Sequence, residues 1–205
     1  MTVVRPRRTR TMRMKMWTRG EDKALVVIEA PPREKGTATL KVDDSLWNYL
    51  PRIRRTIRIP PSMMLASWMG SDLTNDDLVR EASLTEDYTY ALGGRSEDPA
   101  GWLLVLTAKP DTVGLWNRFE VVLSDDGTIP LTARYYDRKD RLARVIDWDQ
   151  VKEFDGKTIP ARMILQPVDK EEEGHRTEFV YMEIDFDVDV PESTFSLSRL
   201  ERQTR

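Results

Sequence analysis

The sequence predicts a mainly β (α+β) protein, a single domain over residues 1–205 built on one strongly curved antiparallel sheet with a helical insertion. Three observations carry that prediction. Apolar and polar residues alternate with the strand period of two, most clearly where Met12, Met14 and Met16 interleave with Arg13, Lys15 and Trp17. Turn-forming residues recur at short intervals along the chain. The alternation breaks once, at residues 60–82, where the spacing becomes helical.

A basic segment, residues 1–9, precedes the first strand. The methionine strand turns at Arg19-Gly20-Glu21-Asp22 into a β-branched run from Lys23 to Ala30, which predicts a hairpin. Further strands are expected at 37–42, 45–50, 53–59, 86–92, 101–108, 115–124, 129–137, 141–148, 159–167 and 176–188. Asp43-Asp44, Asp125-Asp126-Gly127, Arg138-Lys139-Asp140 and Asp155-Gly156 supply turns, and Gly93-Gly94 reads as another. So many short strands argue for a meander, and a sheet that wide must curl or split.

Pro60-Pro61 ends the ladder, since proline lacks the N–H and its fixed φ suits a helix start. Met64, Leu65, Trp68 and Met69 then fall on one face of a short helix expected from Ser62 to Met69, with Gly70 ending it. A second helix is expected from Thr74, capped by Asp77 three residues on, with Leu73 and Leu78 placed as a hydrophobic staple. The insertion, about 61–82, is a plug, cap or lid.

Composition removes most chemistry. There is no cysteine, hence no thiol nucleophile or disulfide framework. The only histidine, His175, sits in the polar stretch 170–176, which excludes histidine-based acid/base or metal clusters. Asp185-x-Asp187-x-Asp189 opens like a calcium loop, but Val190 stands where glycine is needed, and the intervening Phe186 and Val188 read as strand residues. No catalytic residue, metal or cofactor is expected. The N-terminus has no apolar signal-peptide core, and no apolar run approaches the roughly 18 residues of a membrane span.

Charge is uneven. Residues 1–60 hold 15 Lys/Arg against 6 Asp/Glu, whereas the whole chain carries −3. A basic end suits an anionic partner, and a solvated strand face is the ordinary alternative. Nucleic acid is disfavoured, because the protein is net acidic and shows no recognised nucleic-acid motif. Arg54 and Arg58, beside the insertion, are expected to face solvent and to dock on a surface. Six of nine methionines lie in two places, Met12, Met14 and Met16 on one strand and Met63, Met64 and Met69 in the insertion. Core filling is the ordinary reading of methionine, but surfaces that bind varied apolar ligands overuse it. With Leu65 and Trp68 these residues form the expected ligand-binding set.

Several stretches resemble the LolA-like outer-membrane lipoprotein-sorting family. They are Ala30-Pro31-Pro32-Arg33-Glu34-Lys35-Gly36-Thr37-Ala38, Leu46-Trp47-Asn48-Tyr49-Leu50-Pro51, the block from Arg55 to Ser62, the block from Trp68 to Leu78, and Phe154-Asp155-Gly156-Lys157-Thr158-Ile159-Pro160. The resemblance covers roughly residues 10–200. It implies an unclosed antiparallel barrel, helices over its mouth and a hydrophobic cavity for acyl chains. It also implies a periplasmic setting, and a signal peptide, long helix and first strand preceding the segment that starts near Arg10 here. The function expected is a non-enzymatic carrier of lipid or lipoprotein acyl chains. Its expected partners are a membrane surface met transiently, an inner-membrane transporter or an outer-membrane acceptor. A lipid-sensing module that signals to a protein partner is the alternative.

Overall fold

The computed structural model describes residues 1–80 and 84–202, so the end of the expected insertion, 81–82, lies outside the described residues. The chain divides into two compact units. One comprises Met1, Arg10–Ala82 and Asp187–Arg205; the other comprises Thr2–Thr9 and Ser83–Phe186. Every pairing among the described strands is antiparallel, and neither of the two ladders closes on itself.

In the first unit, β3 (Arg13–Arg19), β4 (Lys23–Ala30), β5 (Ala38–Val42), β6 (Ser45–Leu50) and β7 (Arg55–Arg58) form a five-stranded meander in sequence order. Gly20 and Asp43 take positive φ at two of its turns, 57° and 50°, as tight hairpin turns require. Pairing fixes two faces. On one, Trp17, Leu25, Leu40 and Trp47 stand opposite one another, with Val27, Ala38 and Tyr49 alongside. Phe195 and Leu200 close this face from a 3-10 turn at Glu192–Phe195 and from helix α3 (Leu197–Arg202). Burying each large apolar side chain here contributes roughly 1.5–3 kcal/mol.

The other face carries Met14, Met16, Val26, Ile28, Thr39, Leu46, Asn48 and Ile57. The insertion packs on it, in a different form from the expected helix. Residues 61–70 make two separate 3-10 turns, Pro61–Met63 and Trp68–Gly70, with Met69 in the left-handed region at φ 50°. Polar side chains enforce these turns. Ser71 Oγ donates to Trp68 O at 2.6 Å, and the Trp68 and Leu73 backbones join at 2.7 Å. The second helix is as expected, α1 at Asn75–Arg80. Thr74 N–H donates to Asp77 Oδ2 at 2.8 Å, and Asp77 N–H donates back to Thr74 Oγ1 at 3.2 Å, completing the capping box.

In the second unit the nine-stranded order is β2-β1-β14-β13-β12-β11-β10-β9-β8. These are β1 (Thr2–Arg5), β2 (Arg8–Thr11), β8 (Tyr88–Glu97), β9 (Ala100–Ala108), β10 (Trp116–Leu123), β11 (Pro130–Asp137), β12 (Leu142–Phe154), β13 (Lys157–Pro167) and β14 (Arg176–Val180). Helix α2 (Leu84–Asp87) leads into β8. Strands β1 and β2 occupy the segment read only as basic. Two further expectations are corrected. Gly93-Gly94 is no turn but a bulge inside β8, where a Cβ on Gly93 would meet Leu103 Cδ2 at 2.8 Å. The turn comes later, at Asp98-Pro99. The last strand stops at Val180 and not at 188, so Phe186 and Val188 are not strand residues. Among the described residues, no helix is long and apolar enough to cross a membrane.

Candidate acyl-binding surfaces

The nine-stranded sheet has two chemically distinct faces. Across one run Leu92, Leu104, Val121, Ala133, Ile146, Leu165 and Thr177, each paired with the next. Tyr90, Leu106, Phe119 and Tyr135 make a parallel row, and Trp148, Met163 and Phe179 a third. The Tyr90–Tyr135 row is consolidated by aromatic contacts, with Phe119 and Tyr135 centroids 4.6 Å apart and Tyr88 and Phe119 4.8 Å apart. Arg144 lies buried in that row with its guanidinium 4.4 Å from the Trp116 ring and 4.3 Å from that of Tyr135. Delocalised charge over π faces suits arginine in an apolar surface better than lysine.

Coverage of this face is incomplete. Ala133, Ile146 and Leu165 are buried, but Leu104, Val121, Trp148, Met163 and Phe179 are half-buried. At the edge, Tyr90 is 53% exposed and Leu92 69%. The opposite face is mixed, with Leu103, Val105, Val122 and Ile164 set among charged and hydrogen-bonded residues. Arg118 stacks 3.7 Å from the Tyr136 ring, whose hydroxyl donates to Glu120 Oε2 at 2.8 Å. Burial, with that acceptor carboxylate, pushes the Tyr136 phenol above its ordinary range. Arg162 Nε donates to Asp149 Oδ1 at 2.7 Å and holds that carboxyl below the usual range. One face carries continuous apolar rows and the other breaks its apolar residues with ion pairs, so the first is the better surface for an apolar ligand.

The sequence-predicted residues all lie in the first unit, with varied environments. Met12 is fully buried and lies between β2 and β3, not on the methionine strand. Met14 is half-buried, and Met16 is 56% exposed on the same sheet face as the insertion. Trp68 is 2% exposed, and its indole N–H donates to Thr39 Oγ1 at 3.0 Å. Met64 packs against buried Leu46, Ile59 and Val79. Met63 and Leu65 are 48% and 60% exposed, so the single-faced stripe expected of Met64, Leu65, Trp68 and Met69 does not form. Met69 O accepts from Arg10 Nη2, which ties the second 3-10 turn to the chain preceding β3.

The two basic candidates separate. Arg54 sits exposed in the turn before β7 with φ 50°. Arg58 is exposed but engaged, donating to Ser45 Oγ at 2.9 Å with its guanidinium 5.8 Å from the Trp47 ring. His175 lines an open, polar groove of about 590 Å³ with Asp169, Lys170, Glu173 and Arg176. Those walls suit water and ions, not acyl chains. Sequence reasoning missed the apolar face from Leu92 to Phe179. Its signal in the sequence is the apolar alternation of β8–β13.

A family model described as that of an uncharacterised protein matches residues 20–202. No curated protein matches the chain. Solved structures do. A DUF1329 family protein from Desulfovibrio piger is 27% identical with a TM-score of 0.86, covering 97% of this chain and 88% of its own. A domain from Vibrio parahaemolyticus, named for outer-membrane lipoprotein sorting, is 23% identical with a TM-score of 0.79, at 98% and 88% coverage. A LolA superfamily protein from Nitrosomonas europaea is 20% identical with a TM-score of 0.73, at 97% and 88%. Below 25% identity such likeness speaks for the fold, here a mainly β, unclosed antiparallel architecture shared along nearly the whole chain. The chain belongs to the family of uncharacterised proteins whose model matches residues 20–202, and it shares its fold with the lipoprotein-sorting domain and the LolA superfamily protein.

Proposed function

We propose that this protein is a non-enzymatic periplasmic carrier that binds lipid or lipoprotein acyl chains reversibly. The observation that supports it is the apolar face of the nine-stranded sheet, left half-covered beside an ion-paired opposite face. Each methylene removed from water there contributes about 0.8 kcal/mol, so an acyl chain binds without covalent chemistry. In the first unit Met16, Met63 and Leu65 are the accessible members of the sequence-predicted set, and we assign them to ligand. Met12 and Trp68 hold the sheet and the insertion in place. The LolA-like fold supports the periplasmic setting and a transfer partner in the inner or outer membrane.

The test is native mass spectrometry of freshly purified full-length protein, followed by titration with a fluorescent fatty acid. Co-purified lipid, or saturable probe binding displaced by unlabelled fatty acid, is expected. A ligand-free protein that binds no probe overturns the carrier reading.

A further inference from the structure

The hairpin tip between β6 and β7 combines apolar surface and charge that acyl binding leaves unused. Ile53 N–H donates to Leu50 O and Arg54 N–H to Pro51 O, each at 3.3 Å, closing the turn. Pro51 fixes one backbone angle of that turn and Arg54 occupies the left-handed region, so the tip has a defined shape. At its apex Ile53 is 57% exposed, flanked by exposed Leu50 and Ile57. Arg52, Arg54 and Arg55 are exposed around it.

Guanidinium groups at several other positions find carboxylates, among them Arg13 with Glu29, Arg118 with Asp140, Arg141 with Asp137 and Arg162 with Asp149. Among the described residues the three tip arginines have no ion pair. On β7 beside the tip, Glu201 accepts from Thr56 Oγ1 at 3.0 Å. Three unneutralised charges ringing an exposed isoleucine match the interface of an anionic bilayer, where arginines meet phosphates and an apolar residue enters the acyl boundary. An acidic protein would need an apolar pocket shaped to Ile53 among its carboxylates, whereas a bilayer interface supplies phosphates and an apolar interior without matched shape.

We propose that the β6–β7 tip docks this protein on anionic phospholipid bilayers, with Ile53 inserting and Arg52, Arg54 and Arg55 contacting headgroups. The proposal rests on the carrier reading for its purpose, since a carrier must meet a membrane to load or unload. The physics of docking does not depend on it.

The experiment is co-sedimentation of the full chain with phosphatidylcholine vesicles, with and without phosphatidylglycerol, at low and high salt. Wild type is expected to bind the anionic vesicles, more weakly at high salt. Arg52→Glu/Arg55→Glu is expected to lose at least tenfold in affinity, since each basic residue near such a surface is worth roughly fivefold. Ile53→Ser is expected to lose roughly tenfold. Circular dichroism and thermal midpoints of both variants should match wild type, because these side chains are exposed. Equal binding to both vesicle types, or binding untouched by the charge reversal, overturns the proposal. Binding to soluble polyaspartate in preference to vesicles also overturns it, and assigns the tip to an acidic protein. A fluorescent fatty acid titrated into the same samples keeps the two readings apart. Vesicle binding without probe uptake defeats the carrier reading and upholds the docking tip.

Discussion

Trp68 carries both an apolar and a polar share of the insertion's grip on the five-stranded sheet. Its ring is buried, and its N–H meets a Thr39 hydroxyl that itself donates to Asn48 Oδ1 at 2.8 Å. Trp68→Ala is expected to lose about 3–5 kcal/mol in urea unfolding, because the cavity adds to the lost transfer energy. Trp68→Phe, which keeps a ring but has no N–H, leaves Thr39 Oγ1 without that donor and should show a smaller but definite loss. A Trp68→Ala variant of wild-type stability would mean the residue is a detachable lid element. Asp137 illustrates a charge effect at the same scale. Arg141 donates to its carboxylate at 2.6 and 2.9 Å and two backbone N–H groups add to this, which lowers its pKa to about 2. Because the folded pKa lies below the unfolded value of roughly 3.9, the stabilisation is present above that value and is lost as pH falls through about 2. Asp137→Asn should therefore narrow the stability gap to wild type as acid is added, and an NMR titration of Asp137 should place its midpoint well below an ordinary aspartate.

At the scale of elements, local sequence decided more in some segments than in others. Strand β4 appears at its expected bounds because a β-branched run is bracketed by turn chemistry at Gly20 and by Pro31. The Thr74–Asp77 box announced α1 for the same reason, a short-range hydrogen-bond pair written in adjacent residues. Thr74→Ala is expected to cost about 1 kcal/mol by chemical denaturation, and Thr74→Ser to restore most of it. The 62–69 helix failed because its apolar spacing was matched by a stronger non-local demand. Trp68 reaches Thr39, while Ser71 and Leu73 take over its backbone partners. Strands β1 and β2 were hidden by arginines, whose charge masks the β-branched Thr2, Val3, Val4, Thr9 and Thr11 between them. Gly93 and Gly101 show what pattern reading cannot reach, namely a close approach between neighbouring strands. A Cβ on Gly101 would stand 2.1 Å from Leu123 O, backbone that cannot swing aside. Gly101→Ala is expected to unfold or strongly destabilise the protein, and a variant melting with wild type would contradict the β9–β10 packing.

For the whole molecule, the two faces of the nine-stranded sheet make a prediction that separates ligand binding from general surface hydrophobicity. Leu92 begins the row that runs through Leu104, Val121 and Ile146, and it is exposed. Val180 is also exposed, but it pairs with Arg162 on the ion-paired face. A carboxylate at either position stays solvated, so neither substitution should disturb folding by more than about 0.5 kcal/mol. Their effect on an acyl chain differs. Lying along the apolar face, the chain would have to desolvate a carboxylate at position 92, whereas position 180 is separated from it by the sheet itself. Leu92→Asp is therefore expected to weaken binding of a fluorescent fatty acid at least tenfold, and Val180→Asp to leave it unchanged. Leu92→Met, which keeps the apolar volume and adds flexibility, should bind within a factor of a few of wild type. If both aspartate variants bind as wild type does, acyl chains do not use this sheet. Met16→Asp and Leu65→Asp in the first unit then become the decisive substitutions.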